Sequence, residues 1–394
     1  MPRPTTVTPV NSSGIPLLWL CGPSGVGKST VGFEIFSQLS RAGIRAAFLD
    51  TDQISLCYPP PTENTHELRS RGLGAIWPNL TAAGIQCLVL SGFVDAPEEV
   101  RLYTDAVPDS DVTMHRLRVD SDELRQRFIN RGWRPDLVDG AIAEADSLDH
   151  ADFTGGSIDT SGLTASQVAG RVLDQVGALP RISRTPRAVP AQPSPTADTP
   201  LPSSGPIPVL WICGAAGVGK STVGFEIYLQ IVRSGTRAAY VDLQQIGFLH
   251  PTAENDPDNH QVKAANLAAL WPVFRNAGTR CLVISGHVGH PDIIRRYADL
   301  LPGTALTVCR LHADSDTLAK RILLRGQGHG PAIPGDRLRG QPPTALYRIA
   351  EHAALDAGDL ERARIGDIRV DTDEQSVEEI ARQVRALADG WPSL

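Results

Sequence analysis

The 394-residue sequence has six cysteines but no C-x-x-C pair, which argues against dithiol chemistry and excludes the usual zinc spacings built on that pair. No apolar run approaches the roughly 20 residues of a membrane span. The charge balance gives no basic excess: the net charge is −7, which argues against nucleic acid and anionic lipid as partners. Residues 1–14 are polar and lack a charged-then-apolar signal pattern. Four of the cysteines (Cys21 with Cys213, Cys87 with Cys281) fall at matched places on apolar runs, the pattern of small buried residues. A reduced, cytoplasmic setting is the expectation.

What the sequence does contain, it contains twice. Gly22-Pro23-Ser24-Gly25-Val26-Gly27-Lys28-Ser29-Thr30 follows the apolar run Leu17–Cys21 and leads into Val31–Phe36. Gly214-Ala215-Ala216-Gly217-Val218-Gly219-Lys220-Ser221-Thr222 follows Val209–Cys213 and leads into Val223–Tyr228. Both fit G-x-x-x-x-G-K-[ST] between a strand and a helix, the Walker A context. Glycines let successive N–H groups converge on a phosphate, and the helix that follows adds its positive end. Lys28 and Lys220 are expected to reach the outer phosphates, and the hydroxyls of Ser29 and Ser221 to enter a magnesium shell.

The repeat continues around the loops. Ile44–Asp50 and Thr236–Asp242 read as second strands, and Gln86–Gly92 and Arg280–Gly286 as third strands, continuous apolar runs of the kind buried on both faces. Val112–Val119 and Ala305–His312 read as fourth strands, and Ile158–Thr160 and Val370–Thr372 end short fifth strands. Alternating strands and helices imply an α/β fold, with a parallel sheet covered by helices on both faces. The expected division is a disordered 1–14, one domain over 15–179, a Pro/Ser/Thr-rich tether over 180–206 and a second domain over 207–394. The halves are either independent or docked on each other; the sequence allows both.

Ligands in such sheets gather at the carboxyl ends of the strands. Asp50-Thr51-Asp52 ends the second strand there. One carboxylate is expected to accept a proton from a phosphate acceptor and the other to hold magnesium, Asp52 being the metal-side candidate. The second half has Asp242-Leu243-Gln244. Asp242 keeps the metal role, but an amide replaces the second carboxylate, so the first half is the expected catalyst. Arg127 and Arg131, four apart on one helix face, and their counterparts Arg321 and Arg325, are candidates to stabilise a transferring phosphoryl group. Gly326 to Gly340 has the composition of a mobile lid. His66 with Arg69 opens the next helix, where a surface role is the plainer reading. Ser91-Gly92 ends the third strand where many phosphate-loop proteins carry an aspartate.

With these residues in view, each half resembles the small P-loop metabolite kinases, the group of adenylylsulfate kinase, gluconate kinase and chloramphenicol phosphotransferase. The likeness rests on Gly22–Thr30, Leu49–Asp52, the Ser-ended third strand, Arg127 with Arg131, and Ile158–Thr164. The tandem form and Ala/Arg/Pro-rich composition look like an ATP-binding protein of actinobacterial type. The resemblance implies five parallel strands per half in the order 2-3-1-4-5, ATP and Mg2+ as cofactors, and contact of Thr160–Gly162 and Thr372–Glu374 with adenine. The expected activity is transfer of a phosphoryl group to a small hydroxyl-bearing molecule. The rival reading is a nucleotide-binding regulatory or scaffold module; the acceptor, and ATP as against GTP, stay open.

Overall fold

The computed structural model describes residues 14–61, 64–131, 137–149, 156–177, 205–330, 333–389 and 391–392, with the backbone alone for Asn130 and Arg131. The first half contributes β1 (Ile15–Cys21), α1 (Lys28–Arg41), β2 (Ala46–Asp50), β3 (Cys57–Tyr58), α2 (Thr65–Ala82), β4 (Cys87–Ser91), α3 (Pro97–Ala106), β5 (Ser110–Arg118), α4 (Ser121–Arg131), α5 (Val138–Asp149), β6 (Ser157–Asp159) and α6 (Ala165–Val176). The second contributes β7 (Ile207–Cys213), α7 (Lys220–Arg233), β8 (Ala238–Asp242), β9 (Leu249–His250), α8 (His260–Asn276), β10 (Cys281–Ser285), α9 (Pro291–Asp299), β11 (Thr304–His312), α10 (Ser315–Gly326), α11 (Pro343–Arg362), β12 (Ile368–Asp371) and α12 (Val377–Leu387). The disordered segment expected over 1–14 and the tether expected over 180–206 lie outside the described residues, apart from Gly14, Gly205 and Pro206.

The sheets are six-stranded, not five-stranded, and the sixth strand of each comes from the other half. One runs β6-β5-β1-β4-β2-β9 and the other β12-β11-β7-β10-β8-β3. The five strands native to each half are parallel, while β9 pairs antiparallel with β2 (Ala46 with His250) and β3 antiparallel with β8 (Tyr58 with Ala238). Backbone bonds just before each strand extend the exchange: Phe48 N donates to Phe248 O at 3.1 Å and Tyr240 N to Leu56 O at 2.9 Å. Each exchanged strand is only two residues long and runs directly into a proline, Pro59 or Pro251.

Strand periodicity explains how the halves share a core. Alternate residues of a strand point to opposite faces. Leu17, Trp19 and Cys21 of β1 enter the same buried cluster as Val209, Trp211 and Cys213 of β7. The intervening Leu18 and Leu20, and Leu210 and Ile212, face separate outer clusters against α1 and α7. Between the sheets α2 packs on α8, with Trp77 and Leu80 buried in the cluster that holds Leu270, Trp271 and Phe274. Their close approach has a requirement: a Cβ on Gly72 would stand 2.8 Å from Ile54 O and 3.4 Å from a Leu270 methyl. The polar groups at this seam are paired across it, Asn79 Nδ2 donating to Asn266 Oδ1 at 3.1 Å and Arg237 Nε to Pro59 O at 2.8 Å. Among the described residues no helix is long and apolar enough to cross a membrane. All six cysteines are buried free thiols, and burial pushes Cys21 up to about 11 and Cys87 to about 12.

Candidate active site

Each phosphate loop joins a central strand to a helix with no side-chain cap. Gly27 and Gly219 occupy the N-cap positions of α1 and α7 in the left-handed region, and neither helix start receives a side-chain hydrogen bond. Its first N–H groups thus remain available to an anion. Gly22 is obligatory: its φ is +142°, and a Cβ there would lie 2.6 Å from Leu117 O. Gly214 repeats this with φ +140° and Leu311 O at 2.5 Å. Lys28 Nζ folds back onto Gly22 O at 2.8 Å and Pro23 O at 3.0 Å, and Lys220 Nζ onto Ala215 O at 2.9 Å. Burial holds both ammonium groups below the ordinary lysine range.

The end of β2 meets the loop directly. Ser29 Oγ donates to Asp50 Oδ2 at 2.5 Å, and Ser91 Oγ, at the end of β4, stands 3.2 Å from Ser29 Oγ and 3.3 Å from the same carboxylate oxygen. Asp50 Oδ1 accepts from Asp52 N at 3.0 Å. Burial, reinforced by the negative charge of Asp52, pushes the Asp50 carboxyl up to about 6. Asp52 points elsewhere: Arg69 of α2 donates to it at 2.6 Å, and its side chain is 60% exposed. The second half repeats the first part of the pattern, Ser221 Oγ to Asp242 Oδ2 at 2.6 Å and Gln244 N to Asp242 Oδ1 at 2.9 Å. There Ser285 Oγ is taken by Tyr240 Oη at 2.7 Å. Ser29, Asp50 and Ser91 are hard oxygen donors, chemically suited to magnesium. No group of three or more His, Cys, Asp or Glu side chains able to hold a metal occurs among the described residues. A cation at Asp50 would therefore complete its shell with water or with phosphate oxygens.

Arg127 is engaged by protein groups. Its Nη1 donates to Val26 O at 2.7 Å and Thr160 Oγ1 at 3.1 Å, its Nη2 to Thr160 O at 3.0 Å, and Glu123 pairs with it at 2.6 Å. It ties the phosphate loop to the turn after β6. Arg321 does the same with Val218 O at 3.2 Å and Thr372 O at 2.7 Å. Arg325 instead donates to Asp336 at 2.7 Å. Arg131 is the last residue of α4, and its side chain lies outside the described residues. His66 is structural: its ring is buried between Tyr103 Oη at 3.0 Å and Glu99 at 3.2 Å.

Glu144 of α5 is a site residue that sequence reading missed. Its Oε2 accepts a hydrogen bond from Ser24 N at 2.7 Å, inside the first phosphate loop, and its charge is felt by Lys28. Asp356 of α11 acts on Lys220 in the same way. A carboxylate on a loop amide competes with phosphate for that donor. Replacing Glu144 with glutamine is expected to tighten ATP binding by about two- to fivefold, the scale of one partly exposed charge pair, as read by calorimetric titration.

The buried histidine gives a pH expectation. Burial, then the positive charge of Arg69, lowers His66 to about 4, so the folded state binds fewer protons than the unfolded chain between pH 4 and about 6.5. Stability should thus fall as pH drops through that window, with His260, lowered by burial and Lys263, adding to it. Urea unfolding at pH 7 and pH 5 checks this: His66→Gln should lose less stability on acidification than the parent.

No protein-family model and no curated protein matches the sequence. Solved structures do resemble it. A gluconokinase from Sinorhizobium meliloti is 19% identical, matched over 47% of this chain and 94% of its own with a TM-score of 0.32. A sugar kinase from Janibacter is 16% identical over 42% and 97%, TM-score 0.34. The APS kinase of Mycobacterium tuberculosis, solved with AMPPNP and APS, is 17% identical over 47% and 99%, TM-score 0.30. Each is matched over nearly its whole length by less than half of this chain.

Proposed function

We propose that the protein is an ATP- and magnesium-dependent phosphotransferase acting on a small hydroxyl-bearing molecule, with the first half as catalyst. The observation that carries this reading is the juxtaposition at the end of β2. Asp50 is bonded to the phosphate-loop Ser29, and a second, outward carboxylate, Asp52, is two residues away and held by Arg69. The loop amides and Lys28 bind and orient the triphosphate. Ser29 and Asp50 would hold a magnesium ion, which would supply positive charge to offset that of the phosphates. In this reading the metal side of the strand end is Asp50, not Asp52. Asp52 faces the acceptor side, where it orients the hydroxyl and takes its proton as the oxygen attacks. Arg69 keeps that carboxylate in place.

The second half supports a different role. It keeps the loop, Ser221 and Asp242 but has Gln244 where the outward carboxylate stands, and an amide accepts no proton near neutral pH. Nucleotide binding without efficient transfer fits that half. The test is transfer of labelled γ-phosphate from ATP, with magnesium, into a fractionated extract of small metabolites. A labelled product made by the parent and lost in Asp50→Asn supports the kinase, and mass analysis names the acceptor. ATP binding with no labelled product from any fraction would favour a regulatory module instead.

A further inference from the structure

The nucleotide pocket of the first half is not built by the first half alone. A cavity of about 570 Å3 is lined by Gly27, Thr30 and Thr160 on one side and by Gly328, Gly330 and Arg339 on the other. The last three belong to the Gly/Pro-rich insertion between α10 and α11 of the second half. The described part of that insertion is not loose. Gln245 Nε2 donates to Pro334 O at 3.1 Å, and a Cβ on Gly335 would stand 2.4 Å from the Phe248 ring and 3.6 Å from Phe33 of the first half's α1. Asp336, its side chain only 8% exposed, is the anchor, taken by Arg325 at 2.7 Å.

Charge at this wall is unbalanced. Arg339 Nε lies 4.0 Å from the Asp336 oxygen that Arg325 already occupies, and one of its five N–H donors goes to Gly330 O at 2.7 Å. One carboxylate faces two guanidiniums, leaving a net positive charge. The other arginine of the cavity, Arg127, is committed to Glu123, Val26 O and Thr160. Among the described residues that line this cavity, Arg339 is therefore the cation with donors free for an anionic ligand.

We propose that Arg339 of the second half is a nucleotide-binding residue of the first half's site, reaching across the seam to the charged part of a nucleoside triphosphate. The inference rests on the nucleotide-binding reading of the first loop. The reverse wall has the same character: the larger cavity at the second phosphate loop, about 1720 Å3, is lined in part by Phe36, Ser37 and Arg41 of α1.

The test is calorimetric titration of full-length Lys220→Ala protein, which silences the second loop, with Mg-ATP and with AMP. Adding Arg339→Ala should weaken ATP about tenfold, the scale of a hydrogen bond to a charged group, and weaken AMP less. Arg339→Lys, which restores the charge, should recover part of the ATP affinity. ATP affinity within twofold of the parent overturns the inference, as does an equal loss for ATP and AMP, which would mean that the insertion has merely loosened. Absence of ATP binding to the Lys220→Ala protein itself would instead strike the reading of the first loop.

Discussion

Lys28→Ala is expected to lower phosphoryl transfer by on the order of 10²–10³-fold, the cost of deleting one preorganised charge at a reacting group. The side chain is held ready. Its Nζ rests on two carbonyls of its own loop, beside Asp50 and Asp52, and burial already strains the charge. An arriving triphosphate offers that ammonium a stronger partner than the carbonyls do. Lys220→Ala removes an equally buried ammonium from the other loop, yet it should cost far less transfer, because Gln244 there has no proton-accepting oxygen. Initial rates with labelled ATP, measured for both variants on folded protein of unchanged Tm, decide the matter. If Lys220→Ala is the more damaging, the catalytic half has been misassigned.

Phe248→Ala should produce the largest loss of stability, about 3–5 kcal/mol, the cost of removing a buried aromatic ring. Phe248 belongs to the second half by sequence but packs inside the first, with ring centroids 5.0 Å from Phe33 and 5.9 Å from Phe48. It is 7% exposed there, and its carbonyl holds Phe48 N. Its removal therefore weakens β9 pairing as well as the aromatic cluster. Because the cluster around Trp19 and Trp211 runs through both halves, the two should unfold together in one transition, in the variant as in the parent. Urea unfolding followed by tryptophan fluorescence and by far-ultraviolet circular dichroism would check this. Two separated transitions, with only the second half unaffected by the substitution, would mean that the shared core does not couple them.

The parts of this architecture that were readable in the sequence are those written in consecutive residues. Gly22–Thr30 specifies strand, loop and helix within nine positions, and Asp50 could be placed because the strand before it ends at the same edge of the sheet. The exchanged strands were hidden because Cys57-Tyr58 and Leu249-His250 are too short for alternation to register, and each abuts a proline. Their partners lie on the other half, beyond any local pattern. The four-residue spacing of Arg127 and Arg131 predicts one shared helix face, but spacing carries no information about which acceptors lie opposite; for Arg127 these are Val26 O and Thr160. Glu144 gave no signal at all, being one acid among several on α5, 120 positions away from the amide it meets.

The crossing of β3 and β9 also covers one border of each sheet. An uncovered terminal strand is a template for any passing chain. Here β2 and β8 each end a parallel sheet, and each is closed by two residues borrowed from the opposite half. A half produced alone would have a bare sticky border along Ala46–Asp50 or Ala238–Asp242, and beside it the apolar flank of α2 or α8. Such a fragment would pair with itself, with its complement or with other nascent chains. Each half thus occupies the sheet border at which the other would otherwise be open to pairing.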